Sequence, residues 1–192
     1  MAAGFQCIDL SAWYNNVGLT RPDNTSAGAF NVWRNSLPAP ELPCGQRVTV
    51  EGVPFLLPPA DGDRYDNVRC AGQVAPVPRG AYDWVYLLTT AERRVEDEMA
   101  LHFADGAVDF EPLRVSDFWV APAVFGETAA FTTTVMHYPR HIQRNVPATV
   151  WSQRVPVTRR GRLRAVRFPD NLAVHILAMT LCEAERRSHG AD

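Results

Sequence analysis

Fifteen prolines are scattered through these 192 residues, from Pro22 to Pro169. Proline lacks a backbone N–H and its ring clashes with the preceding helical turn, so a chain punctuated this often cannot build long helices. It can build short strands, with proline at edges, bulges and turns.

The apolar pattern agrees. In Val48-Thr49-Val50-Glu51-Gly52-Val53-Pro54-Phe55, a two-residue turn at Glu51-Gly52 pairs Val50 with Val53 and Val48 with Phe55. All four then share one face, as a hairpin requires. Pro54 marks that strand as an edge or a bulge. A second hairpin is expected at Asp105-Gly106, pairing Phe103 with Val108 and Leu101 with Phe110 on the inner face, and His102 with Asp109 on the outer one. The parity changes after Pro112, which predicts a bulge near Glu111-Pro112. Residues 82–88, 129–138, 151–157, 163–168 and 172–181 are further strands. Residues 90–98 are the single helix candidate, a turn or two long. Eight or more strands with closely spaced turns predict an all-β fold, an antiparallel β-sandwich or barrel with very little helix. One domain is expected over 1–182, with a polar tail at 183–192.

Composition narrows the function. All 19 cationic residues are arginine, which excludes lysine Schiff bases and a lysine-bearing phosphate loop. A net charge of −2 does not suit a general nucleic-acid binder. No apolar run is long enough to span a membrane. The N-terminus has no charged or apolar leader, so a cytoplasmic location is expected. Cys7, Cys44, Cys70 and Cys182 make no C-x-x-C pair and are expected to be reduced thiols. Cys7 and Cys182 could approach each other, because first and last strands of a sandwich often pair.

A resemblance then emerges from an ordered set of segments: Asp9-Leu10-Ser11-Ala12-Trp13-Tyr14-Asn15-Asn16-Val17-Gly18, Phe30-Asn31, Leu37-Pro38, Val48 to Phe55, Asp66-Asn67-Val68 and Ser116-Asp117-Phe118-Trp119. In order and spacing, over roughly residues 8 to 181, the chain resembles a β-sandwich domain attached to actinobacterial glycoside hydrolases. That domain is similar to the galactose-binding-like jelly-roll carbohydrate-binding modules. The resemblance implies a jelly roll with a sugar site in its loops. Two features depart from the pattern. Val17 stands where the appended domains often carry an acid, and His137-Tyr138-Pro139-Arg140-His141 has no counterpart.

Candidate site residues lie in the loops. Trp119 offers a ring face for a sugar, and Asp117 and Glu127 offer acceptors. The same carboxylates could instead bind loop N–H groups. His137 and His141 are four residues apart, but Pro139 between them precludes a helical metal pair, so no metal is expected. If the chain is an enzyme, His137 and Glu127 are the general acid–base pair. Tyr138 and His141 are ligand donors in the same rim. Trp13, Tyr14 and Asn16 either contact ligand or close one end of the sandwich. Arg69 either clamps a ligand or pairs with a carboxylate. His175 reads as a satisfied core histidine, and the arginines from Arg154 to Arg167 as solvated charge around a turn at Arg159-Arg160-Gly161.

Two functions follow as expectations. One is a carbohydrate- or glycoconjugate-binding module whose partner is a small molecule or sugar. The alternative is a small stand-alone cyclase, isomerase or hydrolase of specialised metabolism. No cofactor, nucleic-acid partner or membrane partner is expected in either.

Overall fold

The computed structural model describes residues 4–119 and 122–184. Sixteen strands follow in chain order: β1 Phe5–Ile8, β2 Leu19–Thr20, β3 Leu37–Pro38, β4 Arg47–Val50, β5 Val53–Leu56, β6 Val68–Arg69, β7 Val74–Gly80 and β8 Tyr82–Ala91. Then come β9 Val95–Phe103, β10 Val108–Val115, β11 Thr128–Thr132, β12 Val135–Tyr138, β13 His141–Arg144, β14 Thr149–Pro156, β15 Leu163–Arg167 and β16 Val174–Glu183. Among the described residues the helical content is three single 3-10 turns of three residues each.

Two antiparallel sheets form the sandwich. The larger runs β1-β16-β8-β14-β11, with β6 added beside β16; the smaller runs β10-β9-β15-β7. Between them lies one core, including Trp151, Phe103, Phe168, Leu87, Leu101 and Met179. The larger sheet is apolar on both faces. Its outer face carries Leu88, Val150, Leu177 and Ala178 into a second core with Leu19, Phe30, Leu37, Phe55, Phe118 and Met136. The parallel pair β2–β3 and the hairpins β4–β5 and β12–β13 supply that third layer. This double coverage explains the uninterrupted apolar runs of β8 and β16, since a strand covered on both faces has no reason to alternate. It also adds a third layer to the two that the expected sandwich would need.

The first hairpin forms as its sequence predicts. Val48 pairs with Phe55 and Val50 with Val53. Glu51 and Gly52 both have positive φ, 50° and 81°, which is the signature of a type I′ turn. Phe55 is fully buried on β16's outer face. The carbonyl of Pro54 accepts hydrogen bonds from the Thr180 hydroxyl at 2.6 Å and the Cys7 thiol at 3.4 Å.

The second hairpin corrects its predicted register. Val108 pairs with His102 and Phe110 with Ala100. Gly106 N–H donates to Phe103 O, Phe103 N–H donates to Ala107 O, and Gly106 sits at φ 90°. The connection is therefore a type I turn followed by a glycine bulge, not a two-residue turn. One added residue turns every side chain of β10 over. Val108 and Phe110 face outward, and Leu113 and Val115 enter the core. The pairing continues unbroken through Glu111 and Pro112, so no bulge is needed there.

Two other expectations are corrected. The helix candidate at 90–98 is the end of β8, a tight turn with Arg93 at φ 77°, and the start of β9. The single strand expected at 129–138 divides into β11, in the large sheet, and β12, in the third layer. Cys7 pairs with Thr180 while Cys182 pairs with Phe5. The terminal strands meet, but two register positions separate these cysteines and no disulfide forms among the described residues. β16 continues to Glu183; of the tail expected at 183–192, residues 185–192 lie outside the described residues.

Candidate ligand-binding cleft

The three layers meet along one side of the molecule. There β11 stops at Thr128, opposite Ser152, so β14 has an open edge from Gln153 onward. The edge strand β10 lies against β14 from the smaller sheet. The β4–β5 turn overhangs from the third layer. These edges leave a cleft of ≈ 600 Å³. Its walls include the aromatic Tyr86 and Phe125, the cationic Arg114 and Arg154, Gln153, whose Nε2 donates to Thr89 Oγ1 at 2.6 Å, and the acids Glu51 and Glu127; the Arg94 guanidinium lies 5.9 Å from the Phe125 ring centroid.

Two different physical situations hold its polar groups. Glu127 is bound into its own loop: its carboxylate accepts from Ser116 N–H at 2.6 Å, Ser116 Oγ at 2.8 Å and Phe125 N–H at 3.1 Å. That loop is thereby folded back onto the start of β11, which presents Phe125 and Gly126 to the cleft. Arg154 instead points along the outer face. It shares that face with Tyr86, its cross-strand partner, and its guanidinium lies 4.2 Å over the Trp84 ring. Arg114 lies 3.5 Å from Glu96.

The remaining predicted site residues fall into three separate places. Trp13 and Tyr14 pack against the inter-sheet core. Trp13 Nε1–H donates to Val74 O at 3.1 Å, and burial, with Asp9 and Asp66 near, holds the Tyr14 hydroxyl above its ordinary pKa. Arg69 is bound nearby, its Nε donating to Leu172 O at 3.0 Å. Asn16 belongs to a buried polar seam: it donates to Ala29 O, and its carbonyl accepts from Asn67 Nδ2. Asn67 also donates to Asp66 Oδ1 at 2.7 Å. Gly18 and Leu19 N–H groups donate to Asp66 at 2.9 Å each. A Cβ at Gly18 would lie 2.5 Å from Asn67 Nδ2, so the seam closes only on glycine. Burial pushes the Asp66 carboxyl up to about 7, despite those three donors.

The second place is the β12–β13 hairpin. His137 is 0 % exposed, with Nδ1 2.8 Å from Thr20 Oγ1, and Thr20 Oγ1 in turn lies 2.6 Å from Ser36 Oγ. Burial lowers the His137 pKa. Tyr138 and His141 are cross-strand partners whose rings stack at 4.8 Å and 7°. Glu127 and His137 thus belong to different networks. Third, Asp117 caps the turn by accepting from Trp119 N–H, and Trp119, 41 % exposed, leans on Phe118 at 4.8 Å. Of the predicted residues, Glu127 alone lines the cleft. The sequence marks none of Tyr86, Arg114 and Gln153, and reads Arg154 only as solvated charge, because their shared cleft arises from three sheet edges distant in sequence. Alternation along residues 151–155 separates Arg154 from Trp151 and Val155, but nothing local marks it as a cleft residue.

Among the described residues, no group of three or more His, Cys, Asp or Glu side chains could hold a metal. Among the described residues no helix is long and apolar enough to cross a membrane.

With two sheets and their third layer in place, the comparison with known families is decisive for the fold. Residues 5–185 match the AziU2-like beta-sandwich domain. The chain belongs to that family. The match covers all sixteen strands of this AziU2-like domain. It supports the β-sandwich implied by the sequence, and lends no support to a galactose-binding-like assignment or a glycoside-hydrolase context. No curated protein matches the chain.

Proposed function

We propose that this AziU2-like domain is a non-catalytic binding module for a sugar-sized, hydroxyl-rich small molecule seated in the edge cleft. The observation that carries this reading is the composition of one ≈ 600 Å³ space: Tyr86 and Phe125 beside Arg114, Arg154, Gln153 and Glu127. Small-molecule sites combine apolar faces with a few placed polar groups in volumes of about 300–1,000 Å³. An aromatic face accepts the C–H face of a sugar ring, while guanidinium and amide groups satisfy its hydroxyls.

The enzymatic alternative has weaker support. A general acid–base pair must reach the proton it moves. His137 is buried against Thr20, and the Glu127 oxygens accept from the 116–125 loop.

An NMR titration of the ¹⁵N-labelled chain with neutral methyl glycosides tests the binding reading. Amide shifts at Gly126, Thr128, Ser152 and Arg154 are expected. Shifts confined to the Tyr138–His141 hairpin or to Trp119 would overturn the cleft assignment and return the site to the rim loops. His137→Gln is expected to leave the affinity unchanged; turnover of any glycoside that this variant abolishes would favour the enzyme instead.

A further inference from the structure

We propose that the cleft's ligand carries a carboxylate, and that Arg154 is the residue that selects it. This inference rests on the cleft being the binding site and adds the chemical class of what it binds.

The argument begins with how each charge near the cleft is used. Arg114 has Glu96 at 3.5 Å. Arg159, another guanidinium set over a ring, has Asp109 at 2.6 Å. Both Glu127 oxygens are taken by loop donors. Arg154 differs from all of these. Among the described residues no carboxylate lies within 4.0 Å of it, and its guanidinium stacks on the Trp84 face at 4.2 Å.

Stacking uses the flat face of a guanidinium and leaves the in-plane N–H fork untouched. It also holds the plane of the fork, so less rotamer freedom is lost when a ligand arrives. Two parallel N–H donors match two carboxylate oxygens and make a charge-assisted bidentate pair, whereas a neutral hydroxyl engages the fork less completely. Arg154 lies beyond the last β14 residue paired with β11, and although it pairs with Tyr86 of β8 its side chain is exposed, so a ligand can reach the guanidinium. Glu51, at the β4–β5 turn, also lines the cleft; it is exposed, so water and salt screen its charge from a bound carboxylate.

The experiment compares methyl β-D-glucuronide with methyl β-D-glucoside, which differ at one carbon. Both are titrated into the ¹⁵N-labelled chain, wild type, Arg154→Gln and Arg154→Lys. The glucuronide is expected to move the Arg154 Nε–H resonance and to bind roughly tenfold tighter or better than the glucoside, the usual scale of a charge-assisted hydrogen bond. Arg154→Gln should erase the preference, and Arg154→Lys should keep only part of it, because a point charge replaces a fork. Equal affinities for the two sugars at the cleft, unchanged in Arg154→Gln, would overturn the carboxylate inference and leave the cleft reading standing. Absence of shifts at every cleft residue with both sugars would overturn both. Glucuronide-specific shifts centred on Arg160 to Arg164 would also overturn the inference, since the arginine-rich turn would then be the anion site.

Discussion

Asn67 Oδ1 accepts a hydrogen bond from His175 Nδ1 at 2.7 Å, across 108 residues of chain. Asn67 Nδ2 is committed to Asn16 and Asp66, so its oxygen is the free acceptor and the histidine must donate. The His175 ring stacks on Phe30 at 4.1 Å. His175 of β16 is thereby joined to the Asn16–Asp66–Asn67 seam and, through Phe30, to the outer core, and the energetics of this cluster depend on pH.

Burial, with Arg69 nearby, pushes the His175 pKa down to about 3 from an ordinary 6.5, while burial pushes Asp66 up to about 7 from 3.8. The signs oppose. A depressed histidine contributes stability that is complete above pH 6.5 and is lost as pH falls toward 3; His137 acts in the same direction. A raised carboxyl contributes stability that is complete below pH 3.8 and is lost as pH rises toward 7. Between about pH 4 and 6.5 the two largely offset. Asp66→Asn should expose the histidine slope, with stability rising by about 1 kcal/mol per pH unit across that window. His175→Gln should flatten or reverse it. Urea midpoints from pH 4 to 7 measure both, and parallel profiles in the two variants would contradict the account.

The corrected β9–β10 register has a direct mutational signature. Phe103 is fully buried, and Phe110 is 58 % exposed on the opposite face. Phe103→Ala should cost about 3–5 kcal/mol. Phe110→Ala should stay within about 0.5 kcal/mol. Comparable losses from the two would restore the two-residue turn.

Gly52 and Gly106 have open space where a Cβ would stand, at φ 81° and 90°. Alanine there clashes with nothing, so its cost is conformational, on the order of 1 kcal/mol each. Thermal denaturation of both variants checks this. A loss several times larger at either site would mean that the turn is more constrained than its backbone shows.

Glu127→Gln tests how the cleft's loop is held. It removes the charge from a carboxylate that serves three donors. A loss of about 1–3 kcal/mol is expected. Amide exchange at Ser116 and Phe125 should quicken well before the rest of the sandwich.

No disulfide is expected to form. In denaturant all four thiols should react. In the native state at pH 8, Cys44, pushed up to about 11 by burial, and the fully buried Cys70 should alkylate slowly. Timed iodoacetamide labelling read by mass spectrometry measures this, and rapid labelling of Cys70 would show that its pocket opens.

Local chemistry was enough to settle the fold class. Proline spacing forbids helices, alternation marks strands, and Glu51-Gly52 specifies a turn whose register follows from two residues. It misjudged Asp105-Gly106 because two-residue and bulged turns share the same glycine, and the choice between them depends on which face of β10 meets the core. Long-range packing alone decided which side chains share the candidate cleft. Glu127 and His137 are ten residues apart in sequence, yet one serves the 116–125 loop and the other Thr20, because β11 and β12 enter different layers. Conversely, Tyr86, Arg114 and Arg154 line one cleft because three sheet edges converge there. Pairing between strands remote in sequence is set by the free energy of burying both faces of the large sheet, and no short window of residues encodes that sum.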